Sequence, residues 1–111
     1  MDGVIKVKDD MLKVNLKGEL DHHMALVIRD EIDHYIEKFR IKRVLFNFRD
    51  VSFMDSSGIG MIIGRYKKLQ KIRGKIGVVY LTPKIKRIFE MSGLFNIIKN
   101  FSDEREAIDK L

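Results

Sequence analysis

The chain has 111 residues, 45% of them hydrophobic, which is enough for one compact core and too little for two ordinary domains. It has no cysteine, so disulfides and thiolate metal sites are excluded, and no run of about 18 apolar residues or secretion signal is visible, so a soluble, cytoplasmic protein is expected. The net charge of +6 permits nucleic-acid binding, but Lys and Arg are scattered over strand edges and outer helix faces rather than gathered into an arm.

In chain order, Val4 to Val7 reads as a first strand, with Lys8, Asp9 and Asp10 as the turn. In a second strand Leu12, Val14 and Leu16 alternate with Lys13, Asn15 and Lys17, making a half-buried hairpin that Gly18 is expected to end. A loop from Glu19 to His23 then leads into a helix with Ala25, Ile28, Ile32, Ile36 and Phe39 on its apolar stripe. Asp21 is its expected N-cap, and Arg29, Asp30, Asp33, Glu37 and Lys38 are expected to face water.

Val44 to Phe48 is a third strand, and Ile59, Ile62, Ile63, Tyr66, Leu69 and Ile72 recur at helical spacing after it. Between them lies FMDSSGIGMII, Phe53 to Ile63, which places Ser56 and Ser57 beside Asp55 on the connection or in the first helical turn, with their hydroxyls toward solvent. Gly58, Gly60 and Gly64 each cost about 1 kcal/mol relative to alanine inside a helix. Gly60 and Gly64 share one face, with Met61 beside them and off the main stripe. Spacing leaves two readings open: another part of the fold packs closely on this smooth face, or a partner backbone docks there with Met61 filling gaps.

Lys75 to Leu81 is a fourth strand, far enough along for a right-handed parallel crossover. Thr82 and Pro83 open a helix that uses Ile85, Ile88, Phe89 and Met91 and stops at Gly93. Leu94 to Phe101 adds a minor strand, and Ser102 or Asp103 caps a last helix with Ala107, Ile108 and Leu111. The predicted fold is α/β: one domain, residues 1–111, with a small mixed sheet of about four to five strands and about four helices.

The densest basic stretch, Arg65 to Lys75, is interrupted by one aromatic, Tyr66, which falls on the apolar stripe, so no base-stacking platform is present. Attraction of an acidic protein stays open. DSSGIG lacks the elbow of a serine hydrolase, and the glycine-bearing helix lacks the lysine and spacing of a P-loop. Asp21-His22-His23 also marks a class of metal-dependent phosphoesterases, but such a site needs further ligands, and the remaining histidine, His34, sits on the following helix with Asp30 and Asp33.

Four segments carry a family resemblance: GELDHH at Gly18 to His23, SFMDSSGIG at Ser52 to Gly60, GRYKK at Gly64 to Lys68 and MSGLF at Met91 to Phe95. Together, in this order, they resemble the bacterial anti-sigma factor antagonists of the STAS fold, over the chain from its first strand to about Phe101. GELDHH and MSGLF fit the sporulation branch, the anti-sigma F factor antagonists, although stress-response antagonists share much of the second motif and Ile59 stands where leucine is common. The resemblance implies a non-enzymatic switch without a cofactor of its own. Its unmodified form binds an anti-sigma factor with serine kinase activity (SpoIIAB-like, bringing the ATP) and so releases sporulation sigma factor F. Phosphorylation turns it off and a PP2C-type serine phosphatase (SpoIIE-like) restores it. The modified serine follows the aspartate of the motif, here Ser56. The implied docking residues are Leu20, Asp21 and His22 with Asp55, Ser56, Ser57, Gly58, Ile59, Gly60, Met61 and Gly64.

Overall fold

The computed structural model describes residues 4–111, so the first three residues of the expected 1–111 domain lie outside it. Strand β1 (Val4–Lys8) turns through Asp9 and Asp10 into β2 (Met11–Leu20), helix α1 (His22–Phe39) leads to β3 (Arg43–Met54), and α2 (Ser56–Gln70) leads to β4 (Lys75–Val79). Helix α3 (Pro83–Ser92), a short 3-10 turn (Leu94–Asn96), β5 (Lys99–Phe101) and α4 (Glu104–Lys110) complete the chain. The five strands lie in sequence order; β1 is antiparallel to β2 and every later pairing is parallel. This is the mixed sheet that the hairpin followed by strand-helix-strand units predicted.

The alternation within strands divides the core. Val44, Phe46 and Phe48 of β3 face one side, where they pack with Leu12, Val14 and Leu16 of β2 and with Ile28 and Ile32 of α1, Ile62 and Leu69 of α2, and Ile85 and Phe89 of α3. Leu45, between them, joins Met11, Val79 and Phe101 on the other side, under Ala107 of α4. Three helices therefore cover one face and the last helix covers the other.

Several boundaries differ from those predicted. Gly18 does not end β2: its φ of +84° lets the strand pass through an irregular stretch, with register shifts between Asn15 and Lys17 and between Gly18 and Glu19, and pairing continues to Leu20. The expected Glu19 to His23 loop thereby shrinks to Asp21, since His22 is already helical. Strand β3 runs on past Phe48 to Met54 because β2 still pairs with it there, whereas β4 stops opposite Asn47. Arg49, Asp50, Ser52 and Phe53 are exposed in this overhang, which hid its strand character from the hydrophobic pattern. Strand β4 stops at Val79, before Tyr80 with its φ of +59°. Phe39 and Ile72, assigned to apolar stripes, are both exposed; Phe39 stacks on Tyr35, and Ile72 falls in the turn after α2 has ended.

Candidate functional site

The parallel pairing of β2 with β3 brings their C-terminal ends to the same edge of the sheet, with Leu20 opposite Met54. The next residue of each strand caps a helix. Asp21 accepts a hydrogen bond from the Met24 amide at 3.0 Å, and Asp55 accepts one from the Ser57 amide at 2.8 Å. The Asp55 amide in turn donates to the Leu20 carbonyl at 3.5 Å, tying the two starts together. As a result His22, at the first position of α1, meets Ser57, at the second position of α2: imidazole Nδ1 and hydroxyl Oγ are 3.3 Å apart.

Ser56 holds the first position of α2 and is exposed. Its neighbour Asp55 is half-buried and fixed by the cap, so the Ser56 hydroxyl stands at the rim of the helix N-terminus, where amides and dipole favour negative charge. The two GELDHH and DSSGIG segments thus form one continuous patch, as their placement after adjacent strands suggested.

The structure separates the predicted site residues into two levels. Asp21, His22, Asp55, Ser56, Ser57, Ile59, Gly60 and Gly64 are exposed or half-buried. Leu20, Gly58 and Met61 are buried beneath them, and Met61 lines the cleft between α1 and α2. A Cβ on Gly58 would lie 2.6 Å from Met54 Cγ and 3.0 Å from Leu20 Cδ2, so this glycine exists to let α2 start close over the strand ends. At Gly60 and Gly64 a Cβ would meet nothing within 4 Å, so no part of the same fold packs closely on that face.

Met61 is buried because the covered band of α2 is turned toward α1 from the predicted one, running through Gly58, Met61, Ile62, Arg65 and Leu69. Arg65 is the residue that the sequence reading missed as part of this band; only 9% of it is exposed. Its Nε lies 3.0 Å from Asp33 Oδ1 of α1, an ion contact too poorly aligned to count as a hydrogen bond, which leaves Nε and Nη1 without hydrogen-bond partners. Lys68 Nζ approaches the same carboxylate oxygen at 3.5 Å. Asp33, expected to face water, instead holds α1 and α2 together. Burial lowers the Arg65 pKa, Asp33 opposes that, and the positive charge of Arg29 adds to it. The spacing of Gly58, Met61, Arg65 and Leu69 by three or four residues was a signal for this face, concealed because an arginine is ordinarily counted as solvated.

Asp21 is engaged as a cap and Asp33 by cations, and among the described residues no group of three or more His, Asp or Glu is placed to hold a metal ion. Among the described residues no helix is long and apolar enough to cross a membrane.

Residues 4–107 match the model of the STAS domain. The chain is 37% identical to an anti-sigma F factor antagonist of Paenibacillus polymyxa over 91% of its own length and 86% of that protein's. It is 32% identical to an anti-sigma-B factor antagonist of Bacillus subtilis, over 85% and 84% of the two chains. Among solved structures it is similar to the anti-sigma factor antagonist SpoIIAA in its unphosphorylated form, with a TM-score of 0.87 and 33% identity, covering 97% of this chain and 94% of that one. The phosphorylated form of the Bacillus cell fate determinant SpoIIAA superposes with a TM-score of 0.78 at the same 33% identity, over 97% of each chain. With its motifs, its sheet order and these likenesses in agreement, the chain belongs to the STAS domain family, among the anti-sigma factor antagonists of the SpoIIAA type.

Proposed function

We propose that this protein is a non-enzymatic partner switch whose unmodified form binds an anti-sigma factor that is also a serine kinase, thereby releasing a sporulation sigma factor F. Phosphorylation of Ser56 by that kinase, with the kinase's ATP, dismisses the antagonist, and a PP2C-type serine phosphatase resets it. The observation that carries this reading is the position of Ser56: exposed, first in α2, directly after a capping aspartate, and beside the open faces of Gly60 and Gly64. The names of the similar proteins support the class, and SpoIIAA is known in both an unphosphorylated and a phosphorylated form. GELDHH and MSGLF favour the sporulation branch over a stress-response switch, and the 37% likeness to one anti-sigma F antagonist agrees with that, although a second anti-sigma F antagonist and an anti-sigma-B antagonist are each 32% identical.

A phosphate at Ser56 brings a charge of about −1.5 to −2 and a bulky tetrahedral group. Within the chain, the helix N-terminus favours that charge and Asp55 opposes it, so the fold should change little. A partner surface pressed against Ser56 would have to desolvate the dianion without neutralising it, which costs several kcal/mol. Contact is therefore turned off without refolding the domain. Incubation with the anti-sigma kinase and ATP, followed by mass spectrometry of the peptide from Asp50 to Arg65, should place one phosphate on Ser56 and none on a Ser56→Ala variant. Phosphate on Ser57 would move the site, and none at all with an active kinase would leave a non-switching STAS module.

A further inference from the structure

We infer that the cleft between α1 and α2 receives an aspartate or glutamate side chain of the anti-sigma partner, held by the guanidinium groups of Arg65 and Arg29. This deepens the docking function proposed above and rests on it. The cleft has a volume of about 260 Å³, with His22, Arg29, Ser57, Gly60 and Arg65 among its lining residues. Arg65 is nine-tenths buried, yet its Nη1 has no hydrogen-bond partner and its contact with Asp33 is a misaligned one through Nε. A buried guanidinium with unfilled donors is costly to leave as it is. Its planar fork matches the two oxygens of a carboxylate.

The surrounding charges fit an incoming acid. Lys68 bridges Asp33 and Glu37 at 3.5 and 3.1 Å, and Arg29 holds Asp30 through Nη2 at 2.9 Å and Nε at 3.0 Å; both partners of that last pair are solvent-exposed, so an incoming carboxylate can take Asp30's place on Arg29 at little cost. Arg29 and Arg65 repel one another, and a carboxylate between them would relieve that repulsion. Gly60 carries no side chain over the cleft, leaving a partner's backbone free to approach it. A chain with a net charge of +6 is also electrostatically suited to an acidic partner. Ser57 lines the cleft, and a phosphate on the adjacent Ser56 would add negative charge at the same end of α2 and so oppose an incoming carboxylate.

The test is calorimetric titration of the purified anti-sigma factor with unmodified wild-type protein, Arg65→Lys and Arg29→Ala, each checked for folding by its melting curve. Arg65→Lys keeps a cation beside Asp33 but loses the fork. It should bind about 10-fold more weakly or worse, and Arg29→Ala should bind several-fold more weakly. Substituting the partner's acidic residues with alanine one at a time should then reveal one position whose effect vanishes in the Arg65→Lys background. Tight wild-type binding with both folded variants within about twofold of it would overturn the inference while leaving the docking function intact. Weakened variants without any coupled acidic residue on the partner would also overturn it. Failure of wild-type protein to bind would overturn the docking function and the inference together.

Discussion

Alanine at Gly60 and alanine at Gly58 are expected to change stability in opposite directions, although the two glycines are separated by a single residue of the same helix. In a helix interior, alanine is favoured over glycine by about 0.5–1 kcal/mol, partly through the lower entropy of the unfolded chain. At Gly60 the new methyl meets nothing within 4 Å, so the gain is uncompensated. For a domain of this size that gain corresponds to a rise in Tm of roughly 2–6 °C. At Gly58 the same gain is opposed by a Cβ 2.6 Å from Met54 Cγ and 3.0 Å from Leu20 Cδ2. Met54 is 3% and Leu20 0% exposed, so neither has free space to move into, and overpacking of this kind costs about 1–3 kcal/mol. The net is a loss of about 1 kcal/mol and a fall in Tm of roughly 5 °C. Thermal unfolding followed by circular dichroism reads both. A Gly58→Ala protein as stable as Gly60→Ala would refute the close packing of α2 on the strand ends, and a destabilised Gly60→Ala would refute the openness of that face.

Two further changes probe other parts of the structure. Asp33→Ala removes the carboxylate beside buried Arg65; with Asp33 itself partly exposed and Lys68 also released, the expected loss is about 1–3 kcal/mol by urea denaturation, and a change under about 0.5 kcal/mol would contradict the pairing. Gly18→Ala should cost about 1–2 kcal/mol through its φ of +84° alone, since its Cβ would meet nothing within 4 Å, and Gly18→Asn should lose less because asparagine tolerates that conformation; equal losses would point to a packing cause.

The sequence made the strand and helix order legible wherever one face of an element is buried and the other is not. Leu12, Val14 and Leu16 alternate cleanly because β1 and β3 flank a strand with one face under α1, and the Thr82–Pro83 and Asp103 caps lie where they were expected. Legibility failed where local chemistry had two uses. Gly18 looks like a terminator but accommodates an irregularity inside a strand, and the overhang of β3 lacks the neighbour that would have buried its polar positions. In the site, the placement of Ser56 at the start of α2 and the Asp21 cap were readable from motif and spacing, whereas the capping role of Asp55 was not anticipated. The depth of Leu20, Gly58 and Met61 was not readable either, because it depends on contacts between elements distant in sequence: α2 starts directly over Leu20 and Met54 at the strand ends, and its side toward α1 is covered, where Arg65 meets Asp33.

The central claim is that Ser56 switches docking without altering the fold. Its most direct test is the affinity of one preparation of the protein for the anti-sigma factor before and after stoichiometric phosphorylation at Ser56, with the melting curve of each form recorded alongside. The proposed switch predicts a loss of affinity of at least about 100-fold, equivalent to roughly 2.7 kcal/mol, with Tm nearly unchanged. Equal affinities of the two forms would contradict it, and a large fall in Tm on phosphorylation would replace a surface clash with unfolding as the cause.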